Sequence, residues 1–181
     1  EQPQPLGYAD AIYRARSFLD SDPFLHLVGD HLYLSNTDQP CAKQLVQMAC
    51  ENQCSVSAVQ STRETNLPYF GIVSGSLVPR MEGLYEIERI VEKPTPTLAE
   101  QELVTPGLRA GHYLGFFGMH VFTAEIMDLI EQLLGKQNET RPTLSDAAAM
   151  LPTRSKYLAY RLHGTRYNLG IRYGLLKAQL A

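Results

Sequence analysis

Helical and strand-like patterns alternate along this chain, and that alternation constrains its fold more than any other feature. Apolar residues recur at helical spacing in some windows and form short runs or alternating pairs in others. The helical patterns cover residues 9–19, 40–52, 123–134, 144–151 and 171–180, and the strand patterns cover residues 24–28, 55–60, 69–73, 85–91, 110–122 and 157–163. Alternating elements of this kind predict an α/β fold with a largely parallel sheet.

Three segments carry more specific expectations. In the helix over 123–134, Thr123 is expected to be the N-cap and Gly135 to end the helix. Residues 95–107 contain proline and show no clear period, which predicts an irregular surface segment. The strand over 110–122 is rich in glycine and aromatic residues. Either the glycines let this strand pack close to a bulky group, or the strand is bulged and twisted and binds no ligand.

Composition restricts the class of protein. A chain of 181 residues suits one well-buried domain. A net charge of −3 provides no basic field for a nucleic-acid polymer. The sequence has no 18-residue apolar stretch and no signal peptide at its start, so we expect a cytoplasmic protein that does not enter a membrane.

Cysteine usage favours a reducing compartment. The three cysteines, Cys41, Cys50 and Cys54, are an odd number and do not suggest a disulfide framework. Cys50 and Cys54 with a histidine from the stretch 26–31 could form a metal site. Buried small hydrophobic residues are the simpler interpretation, because no CxxC pair or matching histidine pair completes a ligand set.

Asp30 is the candidate functional residue with the clearest position. The apolar run over 24–28 ends in Gly29-Asp30, as a buried parallel strand would when it delivers a carboxylate to a ligand crevice. There it could hold a metal ion or face a phosphate. Aspartate is also a common turn residue, so Asp30 could simply cap the turn. Position alone does not separate the two interpretations.

Eight short motifs occur in order along the chain. They are Gln2, Pro5-Leu6-Gly7-Tyr8-Ala9-Asp10-Ala11, Val28-Gly29-Asp30, Phe70-Gly71, Val91-Glu92-Lys93-Pro94, Gly111-His112-Tyr113, Leu144-Ser145-Asp146-Ala147 and Tyr167-Asn168-Leu169-Gly170. In this order they resemble the sugar-nucleotide nucleotidyltransferases, most closely the bacterial UTP-glucose-1-phosphate uridylyltransferases. The resemblance implies a three-layer α/β/α Rossmann-like nucleotidyltransferase fold with a mixed, mainly parallel sheet, as a single domain over residues 1–181.

The resemblance also implies an activity and its ligands. A nucleoside triphosphate and a sugar 1-phosphate would react to give a nucleotide sugar and pyrophosphate, with Mg²⁺ as cofactor. The nucleotide-binding residues implied are Gln2, Gly7, Asp30 and His31; the sugar-phosphate-binding residues are Gly71, Glu92, Lys93 and Gly111; the metal ligands are Asp30 and Asn168; Asp30 and Lys93 would act in catalysis.

The chemistry of these residues agrees with that implied activity. Transfer between two polyanions depends on positioning and on charge neutralisation, which a carboxylate-bound Mg²⁺ and a lysine provide. Glu92 and Lys93 are adjacent, so on a regular strand they would point to opposite faces. Either one of them alone reaches the site, or Pro94 breaks the pleat and lets both reach it.

The sequence departs from the family pattern in several places. The glycine-rich Gly-x-Gly-Thr-Arg loop that starts these proteins is missing, so we expect a piece truncated at both ends. Asn168 stands where the family usually has a metal-binding aspartate, which predicts a weaker Mg²⁺ site. Ala9 replaces a glycine near the base, and Asp10 replaces a histidine with no consequence that the sequence explains.

These observations predict a uridylyltransferase that makes a UDP-sugar from UTP and a sugar 1-phosphate, with glucose 1-phosphate the first candidate. The alternative is a non-catalytic nucleotide-sugar-binding or regulatory domain, motivated by Asn168 and Ala9. A structural domain with relic motifs ranks third. The apolar pattern over 171–180 could pack on a further segment or on a second copy of the chain, so a homo-oligomer is also considered.

Overall fold

The computed structural model describes residues 2, 4, 6–135 and 141–180. The helices are α1 (Tyr8–Tyr13), α2 (Arg16–Leu19), α3 (Cys41–Asn52), α4 (Pro96–Glu102), α5 (Glu125–Leu134), α6 (Leu144–Met150) and α7 (Gly174–Gln179). The strands are β1 (Phe24–Leu27), β2 (His31–Ser35), β3 (Ser55–Arg63), β4 (Gly71–Leu77), β5 (Leu84–Glu92), β6 (His112–Phe122), β7 (Tyr157–Arg161) and β8 (Gly164–Asn168). Short 3₁₀ helices cover Glu64–Tyr69 and Leu151–Thr153.

Six of the strands form one mixed sheet, in the order β1-β6-β3-β7-β5-β4. Strands β2 and β8 form a separate antiparallel pair. Among the described residues, β3 and β7 are the parallel pair of the large sheet, and its other pairings are antiparallel. The α/β class and the mixed sheet are therefore confirmed, but the expectation of a mainly parallel sheet is wrong for the described residues. Apolar periodicity shows that a strand is buried and not in which direction it runs.

Helices cover both faces of the sheet, as the three-layer prediction requires. On β7, Tyr157 and Ala159 pack with α1, α5 and α6, while Leu158, between them, packs with α3. Successive strand residues point to opposite faces, so an unbroken apolar run marks a strand that is covered on both sides. The three residues are 0 to 1% exposed.

Strand β1 differs from the prediction made for the apolar run over residues 24–28. That run was expected to be a buried parallel strand, but β1 is an edge strand paired antiparallel to β6. Leu25 and Leu27 remain exposed on its outer side. The run ends in a turn at Gly29-Asp30 that leads directly into β2.

Other boundaries also differ. The helix predicted over 9–19 is divided into α1 and α2, and residues 95–107 contain α4, which the sequence analysis missed. Thr95 caps α4 by accepting a hydrogen bond from Leu98 N at 3.3 Å, and a proline occupies its first turn. Proline is favourable there because its missing N–H has no helical partner. Pro96 therefore starts a helix instead of excluding one.

The predicted cap of α5 is wrong. Thr123 does not cap this helix, whose N-cap is Ala124 without a side-chain hydrogen bond. Instead the Thr123 and Ser55 hydroxyls lie 3.2 Å apart, and Thr123 N donates to Ser55 Oγ at 3.0 Å. Gly135 ends the helix as predicted.

Within the described residues, no helix has both the length and the apolar character needed to cross a membrane. Cys41, Cys50 and Cys54 are all free thiols, with Cys50 exposed and the other two buried. No cluster of three or more His, Cys, Asp or Glu side chains suited to a metal ion occurs in the described part of the chain. The buried-hydrophobe interpretation of Cys41 and Cys54 is therefore the better one.

Candidate active site

The β2–β8 pair brings Asp30 and Asn168 together, although they are far apart in sequence. His31, which follows Asp30, is the register partner of Asn168. Leu169 N donates to the Asp30 carbonyl at 2.8 Å, and Gly170 N donates to Asn168 Oδ1 at 2.9 Å. A methyl group on Gly170 would overlap Asp30 Oδ2 and lie 3.3 Å from Asn168 Oδ1. Both side-chain oxygens therefore border the same small space.

This oxygen pair suits a hard divalent cation. Mg²⁺ binds one or two protein oxygens and completes its octahedron with water and substrate phosphates. The Asp30 side chain is 55% exposed, so one of its oxygens can face a ligand. Asn168 adds a neutral carbonyl oxygen. The donor set fits Mg²⁺ as a partial site that substrate phosphates would complete.

A cavity of about 250 Å³ begins beside Asp30, since His31, the next residue, lines it, whereas Asp30 and Asn168 are not among its lining residues. Its walls include three predicted site residues, His31, Gly71 and Glu92, and also Ser145 from the first turn of α6. Ser145 Oγ donates to Glu92 Oε2 at 2.6 Å, which orients the carboxylate. A Cβ at Gly71 would lie 2.8 Å from both Glu92 Oε2 and Phe116 Cδ2. Only glycine leaves this wall open.

Lys93 lies beside the cavity with an unusual backbone. Its φ is +47°, in the left-handed region, and its Nζ lies 4.0 Å from Glu92 Oε1. The two charged groups therefore lie on the same side of the chain, because the left-handed residue before Pro94 ends the pleat. Glu92 lines the cavity and Lys93 does not, so the contact of Lys93 with a sugar phosphate stays a prediction. Left-handed backbone costs a non-glycine residue about 1–2 kcal/mol, a strain that is typical of functional positions.

Gly111 is not part of this cavity. It lies just before β6, where its carbonyl accepts a hydrogen bond from Glu64 N at 3.0 Å. Gly118, seven residues further along the same glycine-rich segment, lines the cavity instead. The sequence analysis did not single out Gly118, since spacing alone does not show which part of a long strand lines a cavity, and sugar binding by Gly111 stays a prediction. Gly118 packs closely on the His31 ring, and the register of β6 with β3 shifts between Ser57 and Val59, so β6 both has a bulky neighbour and is bulged.

Gln2 and Gly7 lie near the cavity without lining it. Gln2 Nε2 donates to the Gly7 carbonyl at 3.0 Å and to Asp10 Oδ2 at 2.7 Å. Asp10 is buried, and its hydrogen bonds from Arg14 lower the pKa of its carboxyl, with a further contribution from Gln2. Asp10 thus has a structural role that the sequence did not reveal, as the anchor of the segment containing Gln2 and Gly7.

His31 is a neutral base at physiological pH. Burial and the nearby Arg166 guanidinium lower the pKa of its imidazole, while Asp30 acts in the opposite direction. Its Nε2 lies 3.8 Å from Asp30 Oδ1. A neutral imidazole can accept or donate one hydrogen bond to a ligand without adding charge.

A second, larger cavity of about 670 Å³ adjoins Asn168. Three cations, Arg166, Arg172 and Lys177, line it, with no carboxylate among the lining residues. Arg166 and Phe70 also line the smaller cavity, so the two cavities share a wall. The sequence analysis missed Arg166. It lies two residues before Asn168 within the strand β8, and that strand was not predicted.

Fold and site together define a three-layer α/β domain with a partial cation site beside a polar cavity. The sequence profile of the nucleotidyl transferase family matches residues 1–167. The chain belongs to this family. The family resemblance stated from the eight motifs is confirmed.

Individual relatives agree with this assignment. A UTP-glucose-1-phosphate uridylyltransferase of Streptococcus pyogenes serotype M3 is 29% identical over 184 aligned positions, covering 99% of this chain and 55% of the relative. A UTP-bound UDP-glucose pyrophosphorylase of Acinetobacter baumannii superposes with a TM-score of 0.77 at 28% identity, covering 99% of this chain and 57% of that one. A UDP-glucose pyrophosphorylase in complex with UDP-glucose superposes with a TM-score of 0.80 at 24% identity, covering 99% of this chain and 62% of that one, a likeness that establishes the fold. The chain spans about half the length of the curated relatives that it matches.

Proposed function

We propose that the whole protein transfers a uridylyl group from UTP to a sugar 1-phosphate, with glucose 1-phosphate as the first candidate. A phosphate oxygen of the sugar phosphate attacks the α-phosphorus of UTP, the bond to the β-phosphate breaks, and pyrophosphate leaves. The observation that carries this proposal is the placement of the Asp30–Asn168 oxygen pair next to the Gly71–Glu92 cavity. Membership of the family and the names of the relatives support it.

Three residues, Glu92, Gly71 and Lys93, would bind the sugar phosphate. Glu92, oriented by Ser145, accepts hydrogen bonds from sugar hydroxyls, and Gly71 leaves room for the ring. Lys93 pairs with the phosphate that joins the sugar. Because the Lys93 side chain is 59% exposed, its ammonium is free to move toward that phosphate. No covalent step on the protein is needed, so positioning and charge neutralisation account for the chemistry.

The nucleotide binds on the Asp30 side of the site. Gln2 and Gly7 would contact the base, and His31 the ribose and phosphates. The hydrogen bonds of the Gln2 amide to Asp10 and Gly7 hold it in one orientation in the structure. Asp30 and Asn168 would hold Mg²⁺, which when bound neutralises phosphate charge. We place this activity in the cytoplasm, in keeping with three free cysteines, and leave self-association as a prediction.

Asn168 favours one rival function. A neutral amide attracts Mg²⁺ less strongly than a carboxylate does, so a protein that binds nucleotide sugars without making them would tolerate this residue. This nucleotide-sugar sensor shares the binding site of the enzyme and lacks its turnover. Measuring binding and turnover on the same preparation separates the two functions.

The test uses the full-length protein with UTP, glucose 1-phosphate and Mg²⁺, and measures pyrophosphate release. We expect turnover that falls by about 100-fold or more in Asp30→Asn, the loss typical of removing one charge-stabilising group. Asp22→Asn, an exposed aspartate before β1, is the matched control and should leave turnover unchanged. Binding of UDP-glucose without turnover would support the sensor. Neither binding nor turnover, with any pair of nucleoside triphosphate and sugar phosphate, would reject both functions.

A further inference from the structure

Arg166 is a mostly buried cation in the wall between the two cavities. Its Nη1 donates to the Phe116 carbonyl at 2.6 Å, and its guanidinium lies 4.0 Å from the centre of the Phe70 ring. Its Nε is buried and has no hydrogen-bond acceptor among the described residues. The guanidinium is therefore held firmly in position while part of its donor capacity remains unused.

No carboxylate of the described residues forms an ion pair with Arg166. An arginine guanidinium stays protonated in proteins, so the side chain is charged. A largely buried charge that lacks a counter-charge among the described residues is costly for folding, and a ligand anion can supply that counter-charge.

The position of Arg166 indicates which ligand anion would supply its counter-charge. Arg166 lines both the cavity with Glu92 and Gly71 and the basic cavity next to Asn168. An anion that reaches from the sugar cavity to the Asp30–Asn168 oxygen pair would pass Arg166. Guanidinium groups bind phosphate oxygens with two parallel hydrogen bonds, a geometry that an ammonium group cannot provide.

We propose that Arg166 contacts substrate directly, donating hydrogen bonds to a phosphoryl oxygen of the bound sugar phosphate and of the diphosphate in the nucleotide sugar. This inference rests on the proposed function, because it identifies the phosphate partner within the same site. The Phe70 ring and the Phe116 carbonyl hold the guanidinium ready, so the ligand does not have to order a long side chain.

The experiment measures affinities of the full-length protein by calorimetry for UDP-glucose and for uridine, which lacks phosphate. Arg166→Gln should weaken UDP-glucose binding by about 10-fold or more, as expected for lost charge-assisted hydrogen bonds, and leave uridine binding unchanged. Arg166→Lys, which keeps the charge without the planar fork, should fall between wild type and Arg166→Gln. Arg109→Gln, an exposed arginine before β6 that lines neither cavity, is the matched control and should bind both ligands as wild type does.

A purely structural role for Arg166 predicts a different result. If the side chain only attached β8 to the sheet, Arg166→Gln would weaken uridine and UDP-glucose binding equally and lower the melting temperature, which would overturn the proposal. Equal UDP-glucose affinity in wild type and Arg166→Gln would also overturn it. Wild-type protein that binds UDP-glucose through Arg166 but makes none would contradict the proposed activity and support the Arg166 contact. Wild-type protein that does not bind UDP-glucose would overturn both.

Discussion

At Gly71 the backbone passes so close to Glu92 and Phe116 that a methyl group would lie 2.8 Å from an atom of each. Gly71→Ala must therefore displace the Glu92 carboxylate or the Phe116 ring. We expect about a 10-fold or greater rise in KM for glucose 1-phosphate, since losing a well-placed hydrogen bond to a charged group costs about 1.5–3 kcal/mol. Steady-state kinetics of the full-length protein measure this effect.

The control for Gly71→Ala is a glycine with ordinary surroundings. Gly135 ends α5 with a φ of −73°, and a Cβ there would make only ordinary contacts at 3.5 Å or more. Gly135→Ala should leave KM unchanged. An unchanged KM in Gly71→Ala as well would show that the sugar phosphate does not use this wall.

Among the secondary-structure elements, the start of α6 matters most for the site, because it presents Ser145 to Glu92. Thr143 Oγ1 accepts from Asp146 N at 3.2 Å, while Asp146 Oδ2 accepts from Thr143 N at 2.7 Å, a reciprocal capping box. Thr143→Ala should lower the free energy of unfolding by about 1 kcal/mol, the usual cost of losing an N-cap.

Urea unfolding of the full-length protein measures the effect of the cap. Thr143→Ser keeps the hydroxyl and should retain most of the stability. Because Ser145 lies in the first turn of the same helix, Thr143→Ala should also raise KM for the sugar phosphate. A loss of stability in Thr143→Ser equal to that in Thr143→Ala would mean that the threonine methyl group, not the cap, is responsible.

Elements also show where prediction from sequence succeeds. The long apolar patterns of α3, α5, β3 and β6 were predicted close to their observed bounds, because burial of one face gives a periodic apolar pattern and burial of both faces gives an unbroken apolar run. Strands β2 and β8 were missed. No residue of either strand is buried, and the leucines of β2, Leu32 and Leu34, lie on its exposed side, so neither strand carries the apolar pattern of a core strand.

For the whole molecule, the partly buried His26 and the buried His120 predict sensitivity to acid. His26 and His120 are register partners on β1 and β6, with ring centres 5.6 Å apart. Burial lowers the pKa of His26 to about 4 and that of His120 well below its ordinary value. In the unfolded chain both titrate near pH 6.5 and bind protons more readily than in the folded protein. Stability is therefore complete above about pH 6.5 and is lost as the pH falls toward about 4.

His26→Gln removes one of these titrations and should flatten the decline of unfolding free energy between pH 7 and pH 5, measured by denaturant titration at each pH. Tyr8 OH, 2.7 Å from His26 Nε2, can hydrogen-bond a glutamine amide in its place. His163→Gln, at an exposed position, is the matched control and should decline as wild type does. A pH dependence that is the same in His26→Gln and wild type would show that His26 stays neutral in both states or charges freely in both.

The order of motifs along the chain was sufficient to predict the family, the three-layer fold and most residues of the candidate site. Short motifs record which residue types stand at positions such as Asp30, Gly71 and Glu92, and these types can be identified without knowing the tertiary structure. Strand direction, the edge position of β1 and the lining of the cavity by Gly118 and Arg166 depended on tertiary structure. Each of these depends on which residues, distant in sequence, become neighbours in the sheet. A linear pattern records local burial, whereas the counter-charge of a guanidinium or the space beside a glycine is a property of the packed molecule.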